Sequence, residues 1–420
     1  MNPLFIISLD ALGYSDEDVY KNLPFFKKCI NQGTWIRRFK SIYPTLTYPI
    51  HSTVVSGRYP ISHGIDNNLK LEPEKQKMDW YWDEVELKGD SIFRAAKRKN
   101  LKVAAFRWPA TGFGDISFNL PEAWSFDGEY LKDHLMRKGS SDFILELEEK
   151  FGEFTAESTQ DEKDEYISKA AAYTFEKYQP DITFMHLVDV DHIKHRYGAK
   201  HFGINRGIER LDKRLDELFE NISKIRPLDE INIMFMSDHS QIDTSVGIRL
   251  NKMLEEMNLL IPNPDGTTND YEAYFLTCGG SAALYLKNPD DKELIEKIEN
   301  RILELEIEGI DRIFSEQEIK NMGASSRAVL WVEAKEGFAF EATAIGEIIS
   351  EENVVNVAGN HGFLPEKEGN LAMGIFVGPA FHKGKIIEME ELIRFAPTVD
   401  KILNLGIEDM VEREIEEALV

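Results

Sequence analysis

The 420 residues include only two cysteines, Cys29 and Cys278, far apart and without metal-ligand spacing. Neither a disulfide framework nor a zinc ribbon is indicated, and a reducing compartment fits best. Basic charge is also short: 49 Lys and Arg stand against 74 Asp and Glu, a formal net charge of −25. That balance argues against a broad basic surface for nucleic-acid polymers or anionic membranes, so a phosphate-bearing ligand must be met by local positive charge. Long apolar runs are missing as well. The run at 3–9 stops at Asp10, lacks a basic leader and is too short for a secretory core or a membrane span. As written, the chain is expected to be cytoplasmic, with no membrane partner and an oligomeric state the sequence leaves open. No internal repeat or low-complexity tract is present, and Asn263-Pro-Asp-Gly266 is turn chemistry, not a linker.

What is present is the composition of a folded chain. Hydrophobic residues make up 42% and aromatics 11%, too rich for disorder. Short apolar runs alternate with amphipathic segments, the pattern of parallel strands joined by helices. Strands are expected at 4–9, 101–106, 182–188, 231–236 and 371–377. Helices are expected at 91–99, 161–178 and 204–225; in the last, Ile204, Ile208, Leu211, Leu215, Leu218, Ile222 and Ile225 recur every three or four residues. Three regions break this rhythm: 67–87, 109–161 and 263–350. The third carries its own strand signals (271–277, 282–286, 328–332, 338–340) and a helix near 291–305. The expected fold is therefore α/β, a mostly parallel central sheet flanked by helices, built from 1–262 and 351–420, with 263–350 an inserted smaller α+β cap.

Asp10, Asp191 and Asp238 each closely follow an apolar strand (FIISLD, ITFMHLVDVD, INIMFMSDH). Ligands of open α/β sheets bind outside the carboxyl ends of the strands, so the three carboxylates should face one crevice. Unscreened, they would repel and raise one another's pKa, and a bound cation is the economical remedy. His195 lies four positions after Asp191, His239 follows Asp238, and His361 sits in Ala358-Gly-Asn-His-Gly362, where glycines let the backbone bend closely around a site. Mixed oxygen and imidazole donors suit zinc or a similar transition metal. The stretch Tyr43-Pro-Thr-Leu-Thr-Tyr-Pro-Ile-His-Ser-Thr53 adds hydroxyls at an expected helix start, where free N–H groups favour anions. Thr45, Thr47, Ser52 and Thr53 are the candidate nucleophiles, and a cation or base must activate whichever one acts.

Taken together, these segments resemble the alkaline phosphatase superfamily and, within it, the nucleotide pyrophosphatase/phosphodiesterase family. YPTLTYPIHSTVVSGRYPISHGI is similar to that family's nucleophile motif, and Phe395-Ala-Pro-Thr-Val-Asp400 before Leu405-Gly406 is similar to a closing signature of the superfamily. The resemblance implies Thr47 as nucleophile and two Zn2+ ions, with other divalent transition metals possible. One ion would be held by Asp10, Thr47, Asp238 and His239, the other by Asp191, His195 and His361. It implies a phosphoryl contact from Asn68, or from Asn67 if one residue is deleted, and a nucleobase contact from Tyr48. The implied activity is metal-dependent hydrolysis of phosphodiester or pyrophosphate bonds in small nucleotide-like substrates through a phosphothreonine intermediate. A phosphonoacetate hydrolase or phosphomonoesterase on the same dizinc core is the alternative, and a noncatalytic metal-stabilised binding domain a further one.

Several positions depart from the family pattern. Leu46 stands where many relatives have lysine and Ile50 where asparagine is common. Lys194 replaces the glycine of D-x-x-G-H, and Ser240 the glycine after D-H. Asp189 competes with Asp191 for the ligand role; the spacing to His195 and the following Arg-Tyr-Gly favour Asp191. His51 and His63 are read as structural hydrogen-bonding residues, and His192 as a neighbour of a ligand.

Overall fold

The computed structural model describes residues 1–124, 128–350 and 358–420. Leu4–Leu9, Ile182–Leu187 and Asn232–Met236 are buried along their whole length. Such runs cannot alternate between core and solvent, and they pair in parallel at the centre of an eight-stranded sheet covered on both faces. The sheet order is Lys385–Glu391, Gly33–Lys40, Ala372–Val377, Asn232–Met236, Leu4–Leu9, Ile182–Leu187, Val103–Phe106 and Phe118–Leu120. Ala372–Val377 runs antiparallel to both neighbours, so the sheet is mostly, not wholly, parallel.

The sequence pattern misses three of these strands, among them the three-residue edge strand Phe118–Leu120. Gly33–Lys40 carries Arg37 and Arg38, and Lys385–Glu391 is rich in glutamate and half exposed at the sheet edge. Arg37 bridges Glu17 and Glu388, so charge pairing across the edge does what an apolar face does elsewhere.

The helices follow their patterns closely. Gln160–Tyr178 opens with a capping box from Thr159 and Glu162. Gly203–Ser223 buries its apolar stripe, and Asp212 on that helix accepts the Phe25 and Phe26 N–H groups at 3.3 and 2.9 Å, capping Pro24–Gln32. No helix among the described residues is long and apolar enough to cross a membrane.

A second hydrophobic cluster forms around the four-stranded antiparallel sheet Ala273–Thr277, Ser281–Leu286, Leu330–Ala334 and Ile310–Ser315, with helices Lys292–Glu304 and Glu316–Asn321. Gly337–Phe340 pairs with Ile242–Ile248, a strand that lies before residue 263. Ile248, Leu250, Met253, Leu254 and Leu260 join the same cluster. Residue 351, where the cap is expected to give way to the core, lies outside the described residues.

Glu333 ties this unit to the segments that carry Thr47 and His361. Its carboxylate accepts from the Tyr43 hydroxyl at 3.0 Å and the Leu364 N–H at 2.9 Å, and it pairs with Lys367 at 2.9 Å. Burial pushes its pKa up from 4.5 to about 7, with Lys367 opposing. A carboxyl raised in the folded state stabilises most below its unfolded pKa, and that contribution is lost as pH rises through about 7. The full swing is on the order of 3 kcal/mol. Glu333→Gln should therefore flatten the fall in melting temperature between about pH 5 and pH 8. Parallel melting curves for the variant and the parent would contradict this assignment.

Candidate active site

Asp10 follows the last residue of Leu4–Leu9, Val188 and the helix Asp189–Tyr197 follow Ile182–Leu187, and Ser237-Asp238-His239 follows Asn232–Met236. Three adjacent strands thus deliver Asp10, Asp191 and Asp238 to one edge of the sheet, as the strand-exit positions predict. Asp10 and Asp238 are 3% and 0% exposed. Asp10 Oδ1 and Asp238 Oδ2 have no hydrogen-bond partner among the described residues. Burial, followed by the charges of Asp191 and Asp238, raises the Asp10 pKa well above the usual carboxylate range.

The histidines are set up as donors. His361 Nδ1 donates to the Thr45 carbonyl at 3.0 Å and His195 Nδ1 to the Gly359 carbonyl at 2.9 Å, which leaves each Nε2 with its lone pair. His239 Nε2 lies 3.3 Å from Asp238 Oδ2 and 3.8 Å from Asp10 Oδ1. Burial first, then the neighbouring imidazoles, pushes the pKa values of His239 and His361 well below normal, so both rings are neutral. Two groups bring ligand-type atoms within 4.8 Å of one another: Asp10, Asp238 and His239, and Asp191, His239 and His361. His195 Nε2 is 3.3 Å from Asp191 Oδ1. Buried, unpartnered carboxylate oxygens beside neutral imidazoles are a donor set that fits divalent transition metals. A third such group, His51, His186 and Asp238, is less available, because both nitrogens of His51 are occupied by the Thr47 carbonyl at 2.7 Å and Ser8 Oγ at 2.9 Å.

Thr47 opens the helix Thr47–Ser56, where the first amides lack helical partners. Its Oγ1 lies 3.4 Å from His239 Nε2. The other hydroxyls are placed differently. Thr45 Oγ1 donates to the Phe363 carbonyl and accepts from Asn370, Thr53 bonds His63, and Ser52 is buried. Thr47 is the only one of the four that lines the cavity described below.

The structure also separates the paired alternatives. Asn68 Oδ1 accepts the Tyr48 N–H at 2.9 Å and the residue faces the cavity, whereas Asn67 is buried with its amide on Cys278 Sγ at 3.1 Å. Asp189 pairs with Arg210, leaving Asp191 at the site. His192 is exposed. The Tyr48 ring is fully buried and packs edge-on against Trp80 at 5.3 Å. The half-buried Trp80 and Trp124 supply further aromatic surface on that wall.

Lys194 and Ser240, the two departures from glycine, meet each other. Lys194 is wholly buried and donates to the Ala11 carbonyl at 2.8 Å, Asp16 at 2.7 Å and Ser240 Oγ at 3.1 Å. It therefore laces together the three segments that carry Asp10, Asp191 and Asp238. Gly362, at φ +83°, would put a Cβ 1.5 Å from the Cys278 carbonyl, which shows why the His361 loop needs glycine there.

Sequence reasoning misses His186, Glu122 and Arg107. His186 Nε2 is 3.0 Å from Asp10 Oδ2, and Glu122 stands between His186 and Arg107 at 3.6 and 3.1 Å. A lone polar residue inside the apolar run ITFMHL was the available signal for His186. Glu122 carries none, because it lies in the unpatterned 109–161 region, whereas Arg107 directly follows Val103–Phe106, the same strand-exit position that marks Asp10. The shared cavity has a volume of about 490 Å³ and extends from Asp10, Thr47, Asp191, His195 and His361 to Arg107, Phe154 and Lys163.

The whole chain superposes on murine ectonucleotide pyrophosphatase/phosphodiesterase 5, solved as an inactive variant in complex with AMP, with a TM-score of 0.74, 16% identity and full coverage of both chains. The human counterpart gives 0.71 at 17% identity, covering 99% of this chain and 98% of that one. The fold is thus the α/β architecture of those structures. The model of the type I phosphodiesterase / nucleotide pyrophosphatase family matches residues 4–364, and the chain belongs to that family. Human ectonucleotide pyrophosphatase/phosphodiesterase family member 1 is 27% identical over 274 residues, 61% of this chain and 25% of that protein. An uncharacterised pyrophosphatase/phosphodiesterase of Schizosaccharomyces pombe is 26% identical over 254 residues, 58% of this chain and 45% of that protein. The chain therefore aligns with less than half the length of either relative.

Proposed function

We propose that this protein hydrolyses phosphodiester or pyrophosphate bonds in small nucleotide-like substrates, with Thr47 as nucleophile and two divalent transition-metal ions, zinc foremost, held by Asp10, Asp238 and His239 and by Asp191, His195 and His361. The observation that carries the reading is the position of Thr47 Oγ1 at a helix start, 3.4 Å from His239 Nε2 and in the same cavity as Asp10, Asn68 and Asp191. When bound, the ions would neutralise charge on the transferred phosphoryl group and lower the pKa of the Thr47 hydroxyl. Thr47 Oγ1 gives its proton to solvent and forms a bond to phosphorus in line as the bond to the leaving oxygen breaks, and that oxygen takes a proton from water, so the two proton transfers balance. Asn68, oriented by the Tyr48 N–H, donates its amide to a nonbridging oxygen, joined by the Thr47 N–H at the helix start. Water then cleaves the phosphothreonine, releasing a phosphate monoester and restoring the hydroxyl.

Trp80 and Trp124 offer faces for the flat group of a nucleotide-like substrate, and the segment 263–350, with the strand at Ile242–Ile248 on which it packs, forms the cap. The test compares a bis-aryl phosphodiester, an aryl phosphomonoester and phosphonoacetate on zinc-loaded protein. The diester should be turned over at least about tenfold faster than the others, a transition-state difference of about 1.4 kcal/mol. A monoester or phosphonate rate equal to or above the diester rate would overturn the assignment.

A further inference from the structure

The cavity that holds Thr47 also carries cations, in a chain with few of them. Arg107 is buried; its Nη2 holds Glu122 at 3.1 Å, while its Nη1 is buried with no hydrogen-bond partner among the described residues. Lys163, in the first turns of Gln160–Tyr178, lines the same cavity and donates to the Ala156 carbonyl at 3.0 Å. Burial and then the Arg107 charge push the Lys163 pKa down, so the two cations sense each other. Glu157 and Glu162 also act on the Lys163 charge, and two further acids near the pair are already committed. Glu122 is shared by Arg107 and His186, and Asp164 accepts Gln160 Nε2 and the Val188 and Asp189 N–H groups. The cations are also reinforced by the positive end of a 19-residue helix. Trp80, Trp124 and Phe154 line the same cavity.

We propose that Arg107 and Lys163 form a subsite for a second phosphate of the substrate, distinct from the phosphoryl group transferred at Thr47. A guanidinium with an unpartnered N–H and a partly desolvated ammonium, both lining the cavity, gain by donating to an oxyanion. The aromatic residues of the same cavity suit the flat base of a nucleotide. The preferred substrates are then nucleotides that carry a ribose phosphate besides the phosphodiester being cleaved. This inference rests on the placement of the reacting phosphoryl group at Thr47 given above.

The test uses zinc-loaded protein and the p-nitrophenyl ester of a nucleoside 5′-phosphate with and without a 3′-phosphate, together with binding titrations of the nucleoside 5′-monophosphate, 2′,5′-bisphosphate and 3′,5′-bisphosphate. The additional phosphate should raise kcat/KM about tenfold through KM, and at least one bisphosphate should bind about tenfold tighter than the monophosphate. In Lys163→Met both ratios should fall to about one, and in Lys163→Arg they should be retained. Equal binding of all three nucleotides by the parent protein, or ratios unchanged in Lys163→Met, overturns the subsite. If neither ester is turned over, the phosphodiesterase reading fails, and the binding ratios decide the subsite independently.

Discussion

Thr47→Ala should lose at least about 10³-fold in kcat on a diester substrate while keeping its metal stoichiometry and its fold. The loss follows from chemistry that no neighbour replaces: Thr45, Ser52 and Thr53 are bonded or buried away from the cavity, so no second hydroxyl can reach phosphorus. Metal retention follows because the residues expected to hold most of each coordination shell are the carboxylates and imidazoles. The methyl and hydroxyl removed make one close polar contact, to His239 at 3.4 Å, so the melting temperature should change by no more than a few degrees. Thr47→Ser should keep a measurable fraction of the rate, and acid quenching of the parent during turnover should trap phosphate on Thr47. Activity within about tenfold of the parent in Thr47→Ala would mean that water attacks directly.

Removing metal should have a comparably large effect. Asp10, Asp191 and Asp238 meet at one edge of a low-dielectric sheet, and the raised pKa of Asp10 comes first from burial and then from the charges of Asp191 and Asp238. Chelation should abolish turnover and lower the melting temperature by on the order of 5 °C, since free metal at a thousand times its Kd stabilises a site by about 4 kcal/mol. Zinc added back should restore both. The two readouts separate the alternatives. Restored stability without activity is the result expected of a metal-stabilised binding domain, and full activity in chelator would remove the metal from the chemistry altogether.

The chemistry-bearing ends of the strands are legible in the sequence because a buried parallel strand must be a continuous apolar run, and a carboxylate that ends such a run has few places to go but the crevice. Leu4–Leu9 before Asp10 and Asn232–Met236 before Asp238 are read in this way without any structure. The edge strand Lys385–Glu391 and its neighbour Gly33–Lys40 are not, since the charged residues that pair as Arg37, Glu17 and Glu388 interrupt the hydrophobic period. Within 263–350, Ala273–Thr277, Ser281–Leu286, Leu330–Ala334 and Gly337–Phe340 are legible one at a time and Ile310–Ser315 is not, while the attachment of Gly337–Phe340 to Ile242–Ile248 depends on pairing between segments about 90 residues apart.

The sequence by itself determined the family, the donor types of the site, the position of the hydroxyl at a helix start and the shortage of positive charge that −25 expresses. Each of these resides in residue identity and short spacing. Only the tertiary structure shows which of Asn67 and Asn68, of Asp189 and Asp191, and of the four hydroxyls lines the cavity, because each depends on which face of a loop or helix meets it. It also revealed that Lys194 and Ser240 meet each other, and that Arg107 and Lys163 bring cations to the same cavity of an acidic protein. Contacts between segments distant in the chain exist only once the sheet has assembled, and local sequence carries no record of them.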